Sequence, residues 1–420
     1  MSEQYLDNSL FRNIYCYLIS GSEGCTARGY EAGFLPAGME WLAFLVTAVV
    51  MALVVINLIL GGVIGVIWGE RRILARFQNR RGPNRWGPFG MLTSVADAIK
   101  TMFKEDVLPF EADRVLYTMA PILMVLPVLL VFTVIPLGAG TFIVDLNVGV
   151  LFVLGITSLG GLAVMMAAWS SGNRISIFSG LRAVAMLVSY EIPMALALLG
   201  ILMIAGSMSL GAIIAAQNVP FILVQPLGFL VFFLASLAEM NRTPFDLNEA
   251  ESELAAGYLN DYSSMKFGVF FLAEFAAELA ASALITTLFL SGWRGWDAIP
   301  SHAWFALKLV GVMFLILWVR FTLPRFRIDQ ILALAWKGLF ELTLINLVVT
   351  AILIGIWPQP TTAQLWAIAA INWVVFFPAV WLVGKVLTTK PYESPSVAPG
   401  QSVYPVAVAQ IPASSSEGGD

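Results

Sequence analysis

Nine stretches of this chain are apolar over lengths that can cross a bilayer, and that property limits what it can fold into. They run roughly 41–67, 116–137, 149–170, 183–206, 222–239, 266–290, 302–321, 335–356 and 366–387. A helix needs about 20 mostly apolar residues to cross the hydrocarbon. The last stretch is the most mixed, with several Trp, Pro378 and few flanking charges. The chain is 59% hydrophobic and 12% charged, whereas a soluble domain is nearer half apolar and a quarter charged. The expected fold is therefore all-α, a polytopic transmembrane helix bundle of about nine spans.

The placement of Lys and Arg predicts the orientation. With the N-terminus outside, the cytoplasmic segments are 68–115, 171–182, 240–265, 322–334 and the tail from 388. Of 23 basic residues, Arg12, Arg28 and Arg294 then lie outside, with Lys308 inside a span near that end. The rest lie on or beside cytoplasmic segments, so the C-terminus is cytoplasmic. This divides the chain into an external segment 1–40, a bundle 41–387 with cytoplasmic loops 68–115 and 240–265, and a tail 388–420. The tail is rich in Pro, Ser, Gly and Ala, a composition expected to be disordered. Residues 1–40 are polar and lack the basic start and apolar core of a cleavable signal peptide. No internal repeat of the kind that builds many secondary transporters is visible.

Cys16 and Cys25 are the only cysteines and both fall in segment 1–40. A disulfide there and two free thiols are equally compatible with the sequence. Two cysteines cannot hold an iron–sulfur cluster, which takes about four ligands. His302 is the sole histidine, so multi-histidine zinc, haem or copper sites are excluded as well. Any redox chemistry must use a centre on another chain or a diffusible carrier.

The longest connection begins at the end of the first span with Glu70 and carries Arg71, Arg72, Arg76, Arg80, Arg81, Arg85, Lys100 and Lys104. Gly82-Pro83-Asn84 and Gly87-Pro88 mark turns. Ser94 to Phe103 reads as a short amphipathic helix with Val95, Ile99 and Met102 on one face, a form suited to the membrane interface. The bland reading of the loop is a basic patch attracted to anionic lipid. Its turn-rich character argues against a mere anchor.

The second charged connection gathers Asp246, Glu249, Glu251 and Glu253 within "NRTPFDLNEAESEL" at 241–254. Thr243, Pro244 and Asp246 read as cap, first turn and dipole partner of a helix start. On that helix Asp246, Glu249 and Glu253 would share a face, where like charges repel. A solvated acidic face is the alternative. Further acids lie within or at the ends of spans: Glu191, Glu239, Glu274, Glu278 and Glu341. Carboxylates in hydrocarbon are costly and mark ion or proton paths. Pairing with Arg or Lys is the other reading, and the spans offer few such partners.

With both loops read, the chain resembles a membrane subunit of respiratory complex I, the bacterial H subunit, which is the counterpart of mitochondrial subunit one. The likeness covers roughly 40–360. It rests on "ERR" at 70–72, "RRGPN" at 80–84, "GPFG" at 87–90, "DAIK" at 97–100, "KED" at 104–106 and "SYEIP" at 189–193. It also rests on "AEMNRTPFDLNEAESELAAGY" at 238–258 and "AEF" at 273–275. The resemblance implies a membrane subunit of a proton-pumping NADH:quinone oxidoreductase, with no redox centre of its own, that forms much of a quinone chamber. It implies a proton path through Glu239, Asp246, Glu249, Glu251, Glu253, Glu191 and Glu274. It maps Glu70, Arg71, Arg72, Arg81 and Arg242 to the chamber or its loops. Glu278 matches no motif of the family. The implied partners are quinone, membrane lipid and the other membrane-arm and hydrophilic-arm subunits, including the iron–sulfur subunit facing the quinone site. Nucleic acid is not among them, and the implied location is the bacterial inner membrane. The nearest rival is the homologous membrane subunit of an ion-translocating hydrogenase. A stand-alone transporter and a purely structural anchor are the remaining alternatives.

Overall fold

The apolar runs fold as helices because a helix satisfies its own backbone hydrogen bonds where no water is present. The structure is a computed structural model and describes residues 10–18, 39–246, 257–296 and 298–388. In order, α1 is Leu10–Leu18, α2 Glu40–Phe77, α3 Leu92–Met102, α4 Arg114–Val134, α5 Gly149–Ser170 and α6 Arg174–Ala205. Then come α7 Leu210–Ala216, α8 Phe221–Val224, α9 Pro226–Glu239, α10 Ser264–Phe289, α11 Ser301–Thr322, α12 Ile328–Ile356 and α13 Thr362–Thr388. Among the described residues there is no strand beyond one isolated bridge, Gly138–Thr141. Eight of the described helices are long and apolar enough to cross a membrane. The fifth expected span, 222–239, forms as α8 and then the 14-residue α9, with Gln225 between them. The tail, the acids Glu249, Glu251 and Glu253, and Cys25 lie outside the described residues.

Lipid-facing positions are apolar, among them Leu53, Ile122, Leu151, Val310, Ile352 and Phe377. The interior is a continuous cluster that includes Val131, Ile135, Leu198, Ile201, Phe221, Val231, Phe289 and Ile316. α10 is the most enclosed span, with 67% of its apolar window buried; it packs against α2, α3, α4 and α11. α6 packs against α5, α9 and α12. Small residues allow the closest approach, as membrane interfaces require without a hydrophobic drive between helices. Gly180 on α6 lies directly over Ala168 on α5, where a Cβ would collide with the alanine methyl.

Helix ends follow local chemistry. Asp113 and Asn173 accept hydrogen bonds from the backbone N–H of Val115 and Ile175 at the starts of α4 and α6, satisfying donors with no partner in the helix. Gly206, at φ +66°, ends α6, a left-handed cap that suits glycine. α2 has 38 residues, about 57 Å at 1.5 Å per residue, so it runs past the hydrocarbon into the basic loop. Its last turns carry Glu70, Arg71, Arg72 and Arg76, which the sequence places in a connection. The amphipathic segment forms as α3, with Ile99 and Met102 exposed. α1 rests on α2 through buried Cys16 and Ala43. Cys16 is disulfide-bonded, which decides the alternative that the sequence left open.

The charged connections meet at one end of the bundle. Ser264 Oγ donates to the Lys104 carbonyl at 2.6 Å, Lys266 pairs with Asp106 at 2.9 Å, and Asn173 Nδ2 donates to Asp261. The Phe326 N–H donates to the Pro244 carbonyl. The less charged connections gather at the other end, where Thr141 bonds His302, Ser209 donates to Asp145, and Lys308 Nζ donates to the carbonyls of Leu290, Gly292 and Arg294. Gly180→Val should therefore force α5 and α6 apart. The expected destabilisation is about 1–3 kcal/mol, read as a lower thermal midpoint of the protein in detergent; an unchanged midpoint would count against this packing.

Candidate functional site

The end of the bundle that carries both charged loops also collects the buried acids, and they fall into two settings. In the first, arginines hold them. Arg320 of α11 reaches Glu70 Oε1 at 2.6 Å. Arg242 Nε stands 3.4 Å from Glu278 Oε2, with both side chains almost wholly buried. The Arg242 guanidinium also lies 4.4 Å from the Phe275 ring centroid, a cation–π position. Arg325 Nη2 bonds Asp246 Oδ2 at 2.9 Å. A charge left alone in the interior costs several kcal/mol, so these pairs fix which segments lie together.

In the second setting, acids face a cavity. A space of about 240 Å³ opens between α5, α6 and α9; Glu191, Glu239, Tyr190, Thr157 and Met165 help to line it. A smaller space of about 30 Å³, lined by Phe232, Ser236 and Leu284 among others, lies across Glu239. Glu239, Thr157 and Met194 border both. The Thr157 hydroxyl donates to the Leu154 carbonyl, and the walls around the Glu239 carboxyl are largely apolar. Such a carboxyl can exchange a proton with water or a neighbour without breaking an ion pair.

Glu274 is buried on the same face of α10 as Glu278, as their spacing of four predicts, but the two meet different partners. Glu274 Oε1 accepts from the Tyr258 hydroxyl at 3.1 Å. Below it, Tyr262 stacks on Tyr117 and meets Ser170 Oγ at 3.3 Å. Burial pushes the Tyr262 phenol up to about 12, against the pull of the Ser170 hydrogen bond, so it stays a donor at physiological pH.

The basic loop is ordered by its own contacts. Arg71 Nη1 bonds Asp97 Oδ2 at 2.7 Å, and Lys100 Nζ bonds Asp97 Oδ1 at 3.1 Å. Arg72 lies over Trp68 and Phe89, and Trp68 Nε1 donates to the Phe89 carbonyl. Gly90, at φ +80°, sits against the Pro83 carbonyl, where any Cβ would collide. Arg81 is exposed.

Three sequence expectations are corrected. Thr243 does not cap a helix: residues 243–246 form an irregular turn. Phe245 at its centre is fully buried against Tyr190 and Phe326, and that burial overrides the capping pattern. Two acids at or within spans do find basic partners, Glu70 in Arg320 and Glu278 in Arg242. Glu341 is exposed and joins neither setting. The sequence reading missed Arg320, Arg325 and Tyr258 as site residues; the available signal was that buried acids demand cations or donors.

Fold and site thus define a polytopic helical membrane protein with a buried carboxylate–arginine network at one end. The family model described as NADH dehydrogenase matches residues 48–351, and the chain belongs to that family. It is 48% identical over 345 residues to the NADH-quinone oxidoreductase H subunit of Dehalococcoides mccartyi strain CBDB1, covering 82% of this chain and 96% of the relative. It is 40% identical over 350 residues to an NADH-quinone oxidoreductase H subunit of Geobacter sulfurreducens, covering 78% and 99%. For the corresponding H subunit of Geobacillus kaustophilus the identity is 43% over 318 residues, covering 74% and 92%.

Burial pushes the Asp97 carboxyl up, but the Arg71 and Lys100 hydrogen bonds and charges outweigh it and hold the group below the usual carboxylate range. A depressed folded value contributes stability above the unfolded value of about 3.9 and loses it as pH falls through the folded one. Asp97→Asn should therefore loosen the loop at pH 7, by less than about 1 kcal/mol for so exposed a group, and speed tryptic cleavage at its arginines. The difference from the unsubstituted chain should fade only below about pH 4. Equal cleavage at pH 7 would argue against this role.

Proposed function

We propose that this chain is the membrane subunit of a proton-translocating NADH:quinone oxidoreductase that forms much of the quinone chamber and the first part of an acidic proton path. Family membership and the names of the similar proteins support the complex. The observation that carries the path is Glu239, placed between two cavities and beside Glu191 in apolar surroundings. In this reading the charged end faces the cytoplasm of a bacterial inner membrane. Glu70, Arg71, Arg72, Arg81 and Arg242 belong to the chamber or its mouth, and Glu191, Glu239, Asp246, Glu249, Glu251, Glu253 and Glu274 to the path.

The chemistry follows from charge. Reducing a quinone to a quinol takes up two electrons and two protons. Electrons come from an iron–sulfur centre on a neighbouring subunit, since this chain has two cysteines and one histidine. Negative charge appearing in a low-dielectric chamber acts over a long range and draws protons along the carboxyls. These titrate as a coupled set rather than singly. Glu70 and Glu278, held by arginines, fix geometry, whereas the acids of the path exchange protons. The apolar spans admit the quinone's isoprenoid tail from the lipid. The sequence motifs alone also fit a hydrogenase-type complex, but the similar proteins carry quinone-oxidoreductase names, which favours the first reading.

Glu239→Gln keeps the shape of the side chain and removes its exchangeable proton. In vesicles carrying the assembled complex, quinone-linked proton uptake should fall by on the order of 10²-fold, with NADH oxidation by a water-soluble acceptor retained. Full pumping in this variant would sink the assignment.

A further inference from the structure

Among the described residues, Glu278 is the one fully buried carboxylate that no family motif accounts for. Neither of its oxygens has a hydrogen bond; Arg242, at 3.4 Å, meets it as an ion partner. Phe275, one turn before Glu278 on α10, supplies the ring over which the same guanidinium lies. α10 thus offers Arg242 a carboxylate and an aromatic face at once. Among the described residues, this pair joins α10 to the turn that follows α9, as Glu70–Arg320 joins α2 to α11.

That turn is irregular, so ladder hydrogen bonds do not set its path. It runs from Glu239 through Arg242 to Asp246. At its far end Arg325 holds Asp246, and at its centre Phe245 is seated against Tyr190. Arg242 is the point at which it meets α10. Removing Glu278 takes one ion partner from Arg242 in the interior, and breaking a buried ion pair is costly, so loss of Glu278 would shift the turn.

We propose that Glu278 is a positioning residue for the quinone reaction: it holds Arg242 against α10 and so fixes the 239–246 turn on which chamber and path residues lie. This rests on the quinone-chamber reading. Glu278 itself need touch neither the quinone nor the exchanged protons.

The test is a cycle of Glu278→Gln, Arg242→Gln and the double variant in native membranes carrying the assembled complex. Kinetics with a short-chain quinone are compared with NADH oxidation by a water-soluble acceptor. Glu278→Gln should lower kcat/KM for quinone roughly tenfold, mainly through KM, and leave the water-soluble acceptor within about twofold. Glu278→Asp should fall between the two. The double variant should match Arg242→Gln alone, because Glu278 acts through Arg242. Wild-type quinone kinetics in Glu278→Gln, or a double variant whose loss is the product of the single losses, would overturn the proposal. If Glu278→Gln does not assemble, Glu278→Asp carries the test: a raised quinone KM upholds the proposal, and an unchanged one rejects it. Silent Arg242→Gln and Glu239→Gln variants would instead reject the chamber reading itself, whereas impaired ones beside silent Glu278 variants would reject only the positioning role.

Discussion

A charge inside an apolar bundle must find its opposite, and much of the architecture at the charged end follows from that requirement. Glu70–Arg320 ties α2 to α11, Arg242–Glu278 ties the turn after α9 to α10, and Asp246–Arg325 ties the same turn to the α11–α12 connection. The first two are enclosed and the third is partly exposed at Arg325; enclosed pairs add little net stability compared with apolar packing, but breaking one is expensive. They therefore act as registration points. Hydrophobic contact alone would let the spans slide or rotate, because lipid is as apolar as the core. The pairs remove that freedom where the loops converge.

The remaining buried acids are set apart from these registration points. Glu239 and Glu191 face a cavity, and Glu274 meets the hydroxyl of Tyr258. In the proposed function, the Glu70 and Glu278 pairs keep the frame still while the acids of the path change charge. The short α9, starting after Gln225 and ending at Glu239, carries the turn to that boundary.

The spans were legible in the sequence because hydropathy over about 20 residues is a strong and local signal. Buried faces were legible where spacing decides them, as for Glu274 and Glu278 on α10. Glu191 and Glu239 were picked out by their costly placement and by the motifs around them. Pairings were not legible, because Glu70 and Arg320 lie about 250 residues apart and nothing local announces their contact. The turn at 243–246 was misread as a helix start because Thr-Pro-Phe-Asp satisfies the capping pattern, while the burial of Phe245 among Tyr190 and Phe326 depends on tertiary context. The break between α8 and α9 falls at Gln225-Pro226, where proline cannot continue a helix, a local signal that the hydropathy reading passed over. It is sealed by Asn372 and Trp373 of α13, which donate to the carbonyls of Val224 and Leu223.

The central claim is that this chain holds the quinone beside its buried charge network. Labelling native membranes with a photoreactive quinone and mapping the modified peptides tests it most directly. The account predicts label on peptides of this chain from the end of α2, the basic loop or the 239–246 turn, lost when excess natural quinone competes. Competable label found solely on other subunits would contradict it.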